Sequence, residues 1–285
     1  MLDDDFAEFI YFFRHRLKRF YNFKFFGLLF EKECPRKVII MKKKILSEYE
    51  LGQNYSFINR YLHARRYNVL ESAVERLLNE NMMKDKKLKV LDIGCGLSKA
   101  FEVLSKTVSL EYTGIDYKSR HMEVALDRYG KYENFKYINE PIQDYYDKIA
   151  RFDVIICLET LEHIRESDVT RIIENISKAR PKLFICSVPN EVGPIVWIKN
   201  VGSFLIGWKR HKEYSWYETF KAGLYMLDRI PRHTTEHKGF DWRWLAQTIR
   251  VNMSITKIHR SPGNFLPSIL SPSVIFECKS DEGLS

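Results

Sequence analysis

Glu159, Glu162 and His163 stand within five positions of one another, in the pattern E-x-x-E-H, at the end of the apolar run Phe152-Asp-Val-Ile-Ile-Cys-Leu158. An imidazole of ordinary basicity can take a proton near neutral pH, and neighbouring carboxylates can orient it or join it around a cation. Such a group suits a reaction in which a hydroxyl must lose its proton, either to a base or on a metal. Glu159 and Glu162, three residues apart, are expected to share one face of a helical turn. A second cluster, His233-Thr-Thr-Glu-His237-Lys-Gly-Phe-Asp-Trp242, holds further candidate ligands.

Another set of residues suits a nucleoside. Val90-Leu91-Asp92-Ile93-Gly94-Cys95-Gly96 is a buried-strand pattern running into Gly-x-Gly, and a helix is expected to start near Ser98. Glycines at such a place let the backbone turn tightly and approach a ligand closely. Asp116 follows at the end of the next expected strand, where a carboxylate can accept hydrogen bonds from both hydroxyls of a ribose. The third glycine of the dinucleotide fingerprint is replaced by Lys99, which argues against a pyrophosphate pocket and for a nucleoside without phosphates.

The elements that must position these groups follow from apolar periodicity. Short strands are expected at Lys89–Ile93, Glu111–Ile115, Phe135–Ile138, Asp153–Leu158 and Lys182–Val188, with helices at His121–Tyr129 and Asp168–Ala179 among them. A helix is expected from Tyr55 to about Glu80, and another at Trp242–Thr248 before two late strands, Met253–His259 and Ser273–Cys278. Strands alternating with helices imply parallel crossovers. The expected fold class is therefore α/β, a doubly wound, seven-stranded and mostly parallel sheet. An N-terminal helical extension precedes it, and an insertion follows strand five. The expected organisation is a basic, aromatic extension and linker over 1–53 and a catalytic domain over 54–280, with a cap insertion at 189–238. An interruption of that length usually means a lid or a binding insertion, and a helical cap packed on the core is the plainer alternative.

With these motifs in order, the chain resembles the class I S-adenosylmethionine-dependent methyltransferases, which have a Rossmann-like fold. Val90–Gly96 matches their first motif, Asp116 their acidic residue after the second strand, and Phe152–His163 their fourth-strand motif. The resemblance implies S-adenosyl-L-methionine as cofactor and assigns roles to particular residues. Asp92 would position the amino end of the methionine moiety, with Gly94 and Gly96 lining it. Glu140 would face the adenine amino group, and Leu158 would pack near the base or the sulfonium. Arg66 would reach the methionine carboxylate, as an upstream arginine does in the ubiquinone-biosynthesis O-methyltransferases; the other reading is a solvated helix charge. Those enzymes carry E-x-x-E-H, and so do the small-RNA 2′-O-methyltransferases, in which two carboxylates and two histidines hold magnesium. Glu159, Glu162, His163 and His237 match that set here. Three uses stay open: a magnesium site, a metal-free site with His163 and Glu162 as the catalytic pair, or side chains that only shape the turn. Gly239 departs from the RNA family's pattern.

Composition narrows the acceptor. The 45% apolar content excludes wholesale disorder, and the net charge of +9 is concentrated at one end. Residues 1–44 hold 11 Lys/Arg against 6 Asp/Glu, while the remaining body is near balance. A nucleic-acid enzyme more often spreads its basic excess over the catalytic face, so nucleic acid is the less favoured partner and RNA 2′-O-methylation the runner-up function. A small-molecule or lipid-linked acceptor, such as a quinone precursor or a glycan, suits the apolar insertion better. A non-catalytic binding module of the same fold is a further alternative, disfavoured by the intact glycines and Asp116.

Phe6, Ile10, Phe13, Leu17 and Phe20 recur at helical spacing among Arg14, Lys18 and Arg19. This stretch suits either an anionic membrane surface or packing against the protein itself or a second subunit. Five cysteines without a CxxC pair, an acidic start at Asp3–Asp5 and no apolar run of about 18 residues lead to the expectation of a cytoplasmic protein, peripheral at most on the inner face of a membrane.

Overall fold

The structure is a computed structural model, and it describes residues 57–80, 86–205, 214–230 and 238–280. The aromatic stripe of residues 6–30, the linker, Cys34 and His237 lie outside the described residues.

Seven strands form one sheet in the order β3-β2-β1-β4-β5-β7-β6. They are β1 (Leu88–Ile93), β2 (Leu110–Ile115), β3 (Phe135–Ile138), β4 (Val154–Leu158), β5 (Leu183–Pro189), β6 (Ser254–Ser261) and β7 (Ser273–Lys279). The first five run parallel, and β7 enters antiparallel between β5 and β6. The strand order reverses between β1 and β4, the switch point where open α/β sheets bind ligands beyond the carboxyl ends.

Alternation along each strand sends side chains to two separate cores. Leu91, Ile93, Ile155, Cys157, Phe184 and Phe276 face one side, under α4 (Glu166–Ala179) and α7 (Trp242–Asn252). Val90, Tyr112, Val154, Ile156 and Ile185 face the other, under α1 (Phe57–Glu80), α2 (Lys99–Leu104) and α3 (Ser119–Tyr129). Both faces are covered, which is why β4 and β5 read as unbroken apolar runs. Cys95, Cys157, Cys186 and Cys278 are buried free thiols.

Helix α1 runs the height of the sheet. Near its start Arg66 reaches the β4 end, while Arg76 pairs with Glu277 at 2.6 Å and Glu80 with Lys279 at 3.2 Å near the opposite edge. Residues 57–65 therefore emerge on the carboxyl edge. The cap contains α5 (Ile195–Leu205) and α6 (Trp216–Gly223), which rise from the same edge after β5. Several features differ from the sequence expectation, among them an early start of α3 at Ser119 and an extension of α7 to Asn252. Residues Ile142–Arg151 form a ten-residue 3₁₀ helix that buries Ile142, Tyr145 and Ile149 where only a connection was expected. Helix α4 starts two residues early, with Glu166 and Asp168 in the first turn, where they complement the helix dipole. Among the described residues no helix is long and apolar enough to cross a membrane.

Candidate active site

The two glycines after β1 do different work. Both sit in the left-handed region, Gly94 at φ +69° and Gly96 at φ +51°, where L side chains are strained. A Cβ on Gly94 would lie 2.3 Å from the Thr160 side chain, so this glycine lets the β1 and β4 loops touch. A Cβ on Gly96 would meet nothing within 4 Å. Gly96 thus presents bare backbone to open space at the switch point, which is the cradle a ligand needs.

Asp116 is fixed beside that cradle. Its Oδ2 accepts from the Gly96 amide at 3.0 Å and its Oδ1 from the Lys118 amide at 2.8 Å, with His121 Nδ1 at 3.6 Å. Burial pushes this carboxyl up, but His121 and the two amides outweigh it and hold the group below its ordinary value. An anionic, pre-oriented acceptor results. Tyr137 supports the loop by donating to the Gly96 carbonyl at 3.1 Å, and Asn139 donates to the Asp116 carbonyl at 2.8 Å.

Asp92 lies one layer deeper. It is buried and accepts from the Tyr112 hydroxyl at 2.5 Å. Burial raises its pKa to about 7, against the lowering effect of that hydrogen bond and with a further push from Asp116. A nearby cation would bring it back to the charged form.

The end of β4 separates its acidic residues rather than grouping them. Glu159 adopts φ +50°, which reverses the chain before the 3₁₀ turn Leu161–His163, so Glu159 and Glu162 do not share a helical face as expected. The Glu159 carboxylate turns toward the β5 and β7 ends. Its Oε1 accepts from Ser187 at 2.9 Å and from Ser273 at 3.1 Å, and its Oε2 lies 3.7 Å from Arg66. Glu162 is wholly buried, while His163 is 39% exposed with Nε2 3.9 Å from Glu162 Oε1. Thr160 closes the loop, donating to the Leu158 carbonyl at 3.1 Å.

The other expected site residues fall as follows. Arg66 is only 11% exposed and faces Glu159, so the reading of a solvated helix charge is overturned. Leu158 is half-buried at the strand end, and Glu140 is exposed on the loop after β3. Glu159, Glu162 and His163 do not converge on one point: among the described residues no group of three or more His, Cys, Asp or Glu is arranged to hold a metal. Magnesium therefore does not fit the donors described, and the fourth member, His237, lies outside them. Sequence reasoning missed Ser187, Ser273, Tyr112 and His121. A serine ending a buried apolar strand was a usable signal for Ser187; nothing pointed to Ser273, 114 residues from its partner.

Comparison with known proteins agrees with this architecture. Residues 90–180 match a family model described as a methyltransferase domain. Together with the sheet order and the glycine loop, this match gives the described domain the Rossmann-like methyltransferase fold. Its curated relatives include the ubiquinone biosynthesis O-methyltransferase of Proteus mirabilis (strain HI4320), 24% identical over 184 residues, covering 61% of this chain and 65% of that protein. The enzyme of the same name from Coxiella burnetii (strain Dugway 5J108-111) is 33% identical over 103 residues, covering 35% of this chain and 43% of that one. The chain thus spans less than two thirds of these relatives. Magnesium protoporphyrin IX methyltransferase from Synechocystis PCC 6803, solved with bound SAH, superposes with a TM-score of 0.51 at 14% identity, over 84% of this chain and all of that one. That likeness concerns the fold.

Proposed function

We propose that the protein transfers a methyl group from S-adenosyl-L-methionine to a hydroxyl oxygen of a small, amphiphilic or lipid-linked acceptor. The carrying observation is the open Gly96 backbone beside an Asp116 carboxylate fixed by two amides. When bound, the cofactor supplies an electrophilic methyl on a sulfonium. Asp116 accepts hydrogen bonds from the ribose hydroxyls, Glu140 faces the adenine, and Leu158 packs beside it. Asp92 takes the amino group, whose positive charge favours the ionised carboxylate, and Arg66 takes the carboxylate. The domain doing this is residues 54–280, with the 189–238 cap over the acceptor side. Residues 6–30 add a placement at a membrane surface.

His163 is the proposed base. It is partly exposed in the turn after β4, three residues past Thr160, which touches Gly94, and accepts the acceptor's proton as the oxygen bonds to the methyl carbon. With the cofactor bound, the C–S bond electrons would go to sulfur and the thioether would leave neutral, so that the acceptor's proton is the one charge His163 has to take. The buried Glu162 on the Nε2 side stabilises the imidazolium that forms. Glu159, with Arg66, Ser187 and Ser273, fixes the turn that carries both residues.

The test is turnover on candidate phenolic acceptors with and without EDTA. His163→Ala is expected to lower kcat by about 10²–10⁴ while cofactor affinity is kept, and EDTA to have no effect. Loss of activity in EDTA, restored by magnesium, would instead place His237 with Glu159, Glu162 and His163 around a metal. Normal turnover by His163→Ala would move the chemistry elsewhere.

A further inference from the structure

Tyr112 is a core tyrosine whose hydroxyl ends on a carboxyl. It stands within β2, opposite Val90 of β1, and is 1% exposed. Its ring stacks on Phe135 with 9° between the planes and centroids 5.6 Å apart, and packs on Phe101 at 5.3 Å. Gly114 leaves room for it, since a Cβ there would lie 3.1 Å from the ring edge and 2.7 Å from the Cys95 sulfur. A buried phenol needs one hydrogen-bond acceptor, and any backbone carbonyl would serve. Packing instead aims this hydroxyl at Asp92, where it donates to Oδ2 at 2.5 Å.

The groups around Asp92 leave that hydrogen bond a particular task. Asp116 faces it from the end of β2, Cys95 from the glycine loop, Tyr137 from β3 and Cys157 from β4. Burial pushes the two thiols and both phenols, Tyr112 and Tyr137, well up, so all four are neutral near pH 7. Asp116 is held low and is charged there, with His121 of α3 at 3.6 Å on its far side. Asp92 differs from all of them. Burial raises it to about 7 against the Tyr112 hydrogen bond, and the Asp116 charge adds to the rise. A hydroxyl donor favours the charged form of a carboxyl, so Tyr112 is the neighbour that opposes protonation.

On the premise, proposed above, that Asp92 takes the cofactor's amino group, we infer that Tyr112 is the positioning residue of that contact: its hydroxyl holds Oδ2 and keeps the carboxyl available as an anion for the ammonium. In molecules where Asp92 is still protonated, the carboxyl O–H gives its proton to solvent as the ammonium arrives. Removing the Tyr112 hydroxyl leaves burial and the Asp116 charge unopposed, and the carboxyl then keeps its proton to higher pH. Affinity for a ligand bearing the ammonium falls near neutrality and returns in mild alkali. A tyrosine that served packing alone would weaken binding equally at every pH, or not at all.

The test is calorimetric titration of S-adenosylhomocysteine into the full-length parent and Tyr112→Phe, in buffers of different ionisation enthalpy. The variant keeps the ring, so circular dichroism is expected to be unchanged. At about pH 7 the parent should release about half a proton on binding and the variant more. With the carboxyl raised by about one further pKa unit, Kd in Tyr112→Phe should exceed the parent's about tenfold at about pH 6, about fivefold at about pH 7, and hardly at all at about pH 8.5. Asp92→Asn should release no proton; a release that persists there belongs to another group, His121 first, and overturns the inference. A ratio of Kd values that is the same across this range contradicts it as well. A parent that does not bind S-adenosylhomocysteine at all would defeat the cofactor reading itself, a result distinct from a constant ratio, and the inference with it. Should Tyr112→Phe fail to fold, the parent decides: the Tyr112 ring-carbon NMR resonance must titrate with a midpoint near that of Asp92, and a resonance indifferent to pH there would rule the coupling out.

Discussion

The glycine loop and the cap stand on the same edge of one sheet and are built on opposite terms. The loop is specified by backbone: positive φ at Gly94 and Gly96, amide donors on Asp116, and a close approach between Gly94 and Thr160. The cap is specified by side chains, with a stacked indole, a capping box and an aromatic face left outside. Backbone-coded sites bind what all members of a fold bind. Side-chain-coded ones set what a particular chain meets. The cofactor is accordingly inferable from motifs, and the acceptor is not.

Three predictions probe that contrast, and the largest concerns the buried half of the loop. Asp92 is raised to about 7 in the fold from an ordinary 3.8, so the native state binds more protons than the unfolded chain between those values. Stability of the cofactor-free protein should therefore fall as pH rises from about 4 to 7, by up to about 4 kcal/mol, and level off above. Asp92→Asn should flatten this slope in urea titrations. Asp116 has the opposite sign: its lowered pKa contributes stability above about 4 that is lost as pH falls through the lowered value.

The two glycines should also part company. Gly94→Ala forces a Cβ into Thr160 and should cost about 2–3 kcal/mol in unfolding, partly recovered in combination with Thr160→Gly. Gly96→Ala meets no protein atom and should cost only the left-handed strain, about 1–2 kcal/mol, while abolishing cofactor binding. Equal stability losses in the two variants would erase the distinction. In the cap, Trp216→Ser should change unfolding free energy by less than about 0.5 kcal/mol, because the side chain is 63% exposed. A large loss there would mean the aromatic face is structural.

How far the sequence carried the reading follows the same divide. Strands β4 and β5 were legible because burial on both faces leaves unbroken apolar runs, β1 and β2 because only their second residue is exposed, and the predicted ends of Phe135–Ile138 match β3. Asp116 was legible because it ends a strand. The geometry after β4 was not: nothing in the identity of Glu159 announces a left-handed backbone, so the spacing to Glu162 suggested a shared face that the chain reversal removes. Ser273 reaches Glu159 only because β7 inserts beside β5, a pairing that no local pattern encodes. The cap was recognised as an apolar insertion, but the direction of its aromatic face depends on which side of α6 accepts Trp197.

The central claim is that Asp116 and the bare backbone of Gly96 hold the cofactor's nucleoside. Isothermal titration of S-adenosylhomocysteine into the parent and into Asp116→Ala measures it directly. A loss of about 1.5–3 kcal/mol, roughly tenfold to 150-fold in Kd, is predicted, since hydrogen bonds to a charged acceptor are removed. Unchanged affinity in a variant whose circular dichroism matches the parent would contradict the account.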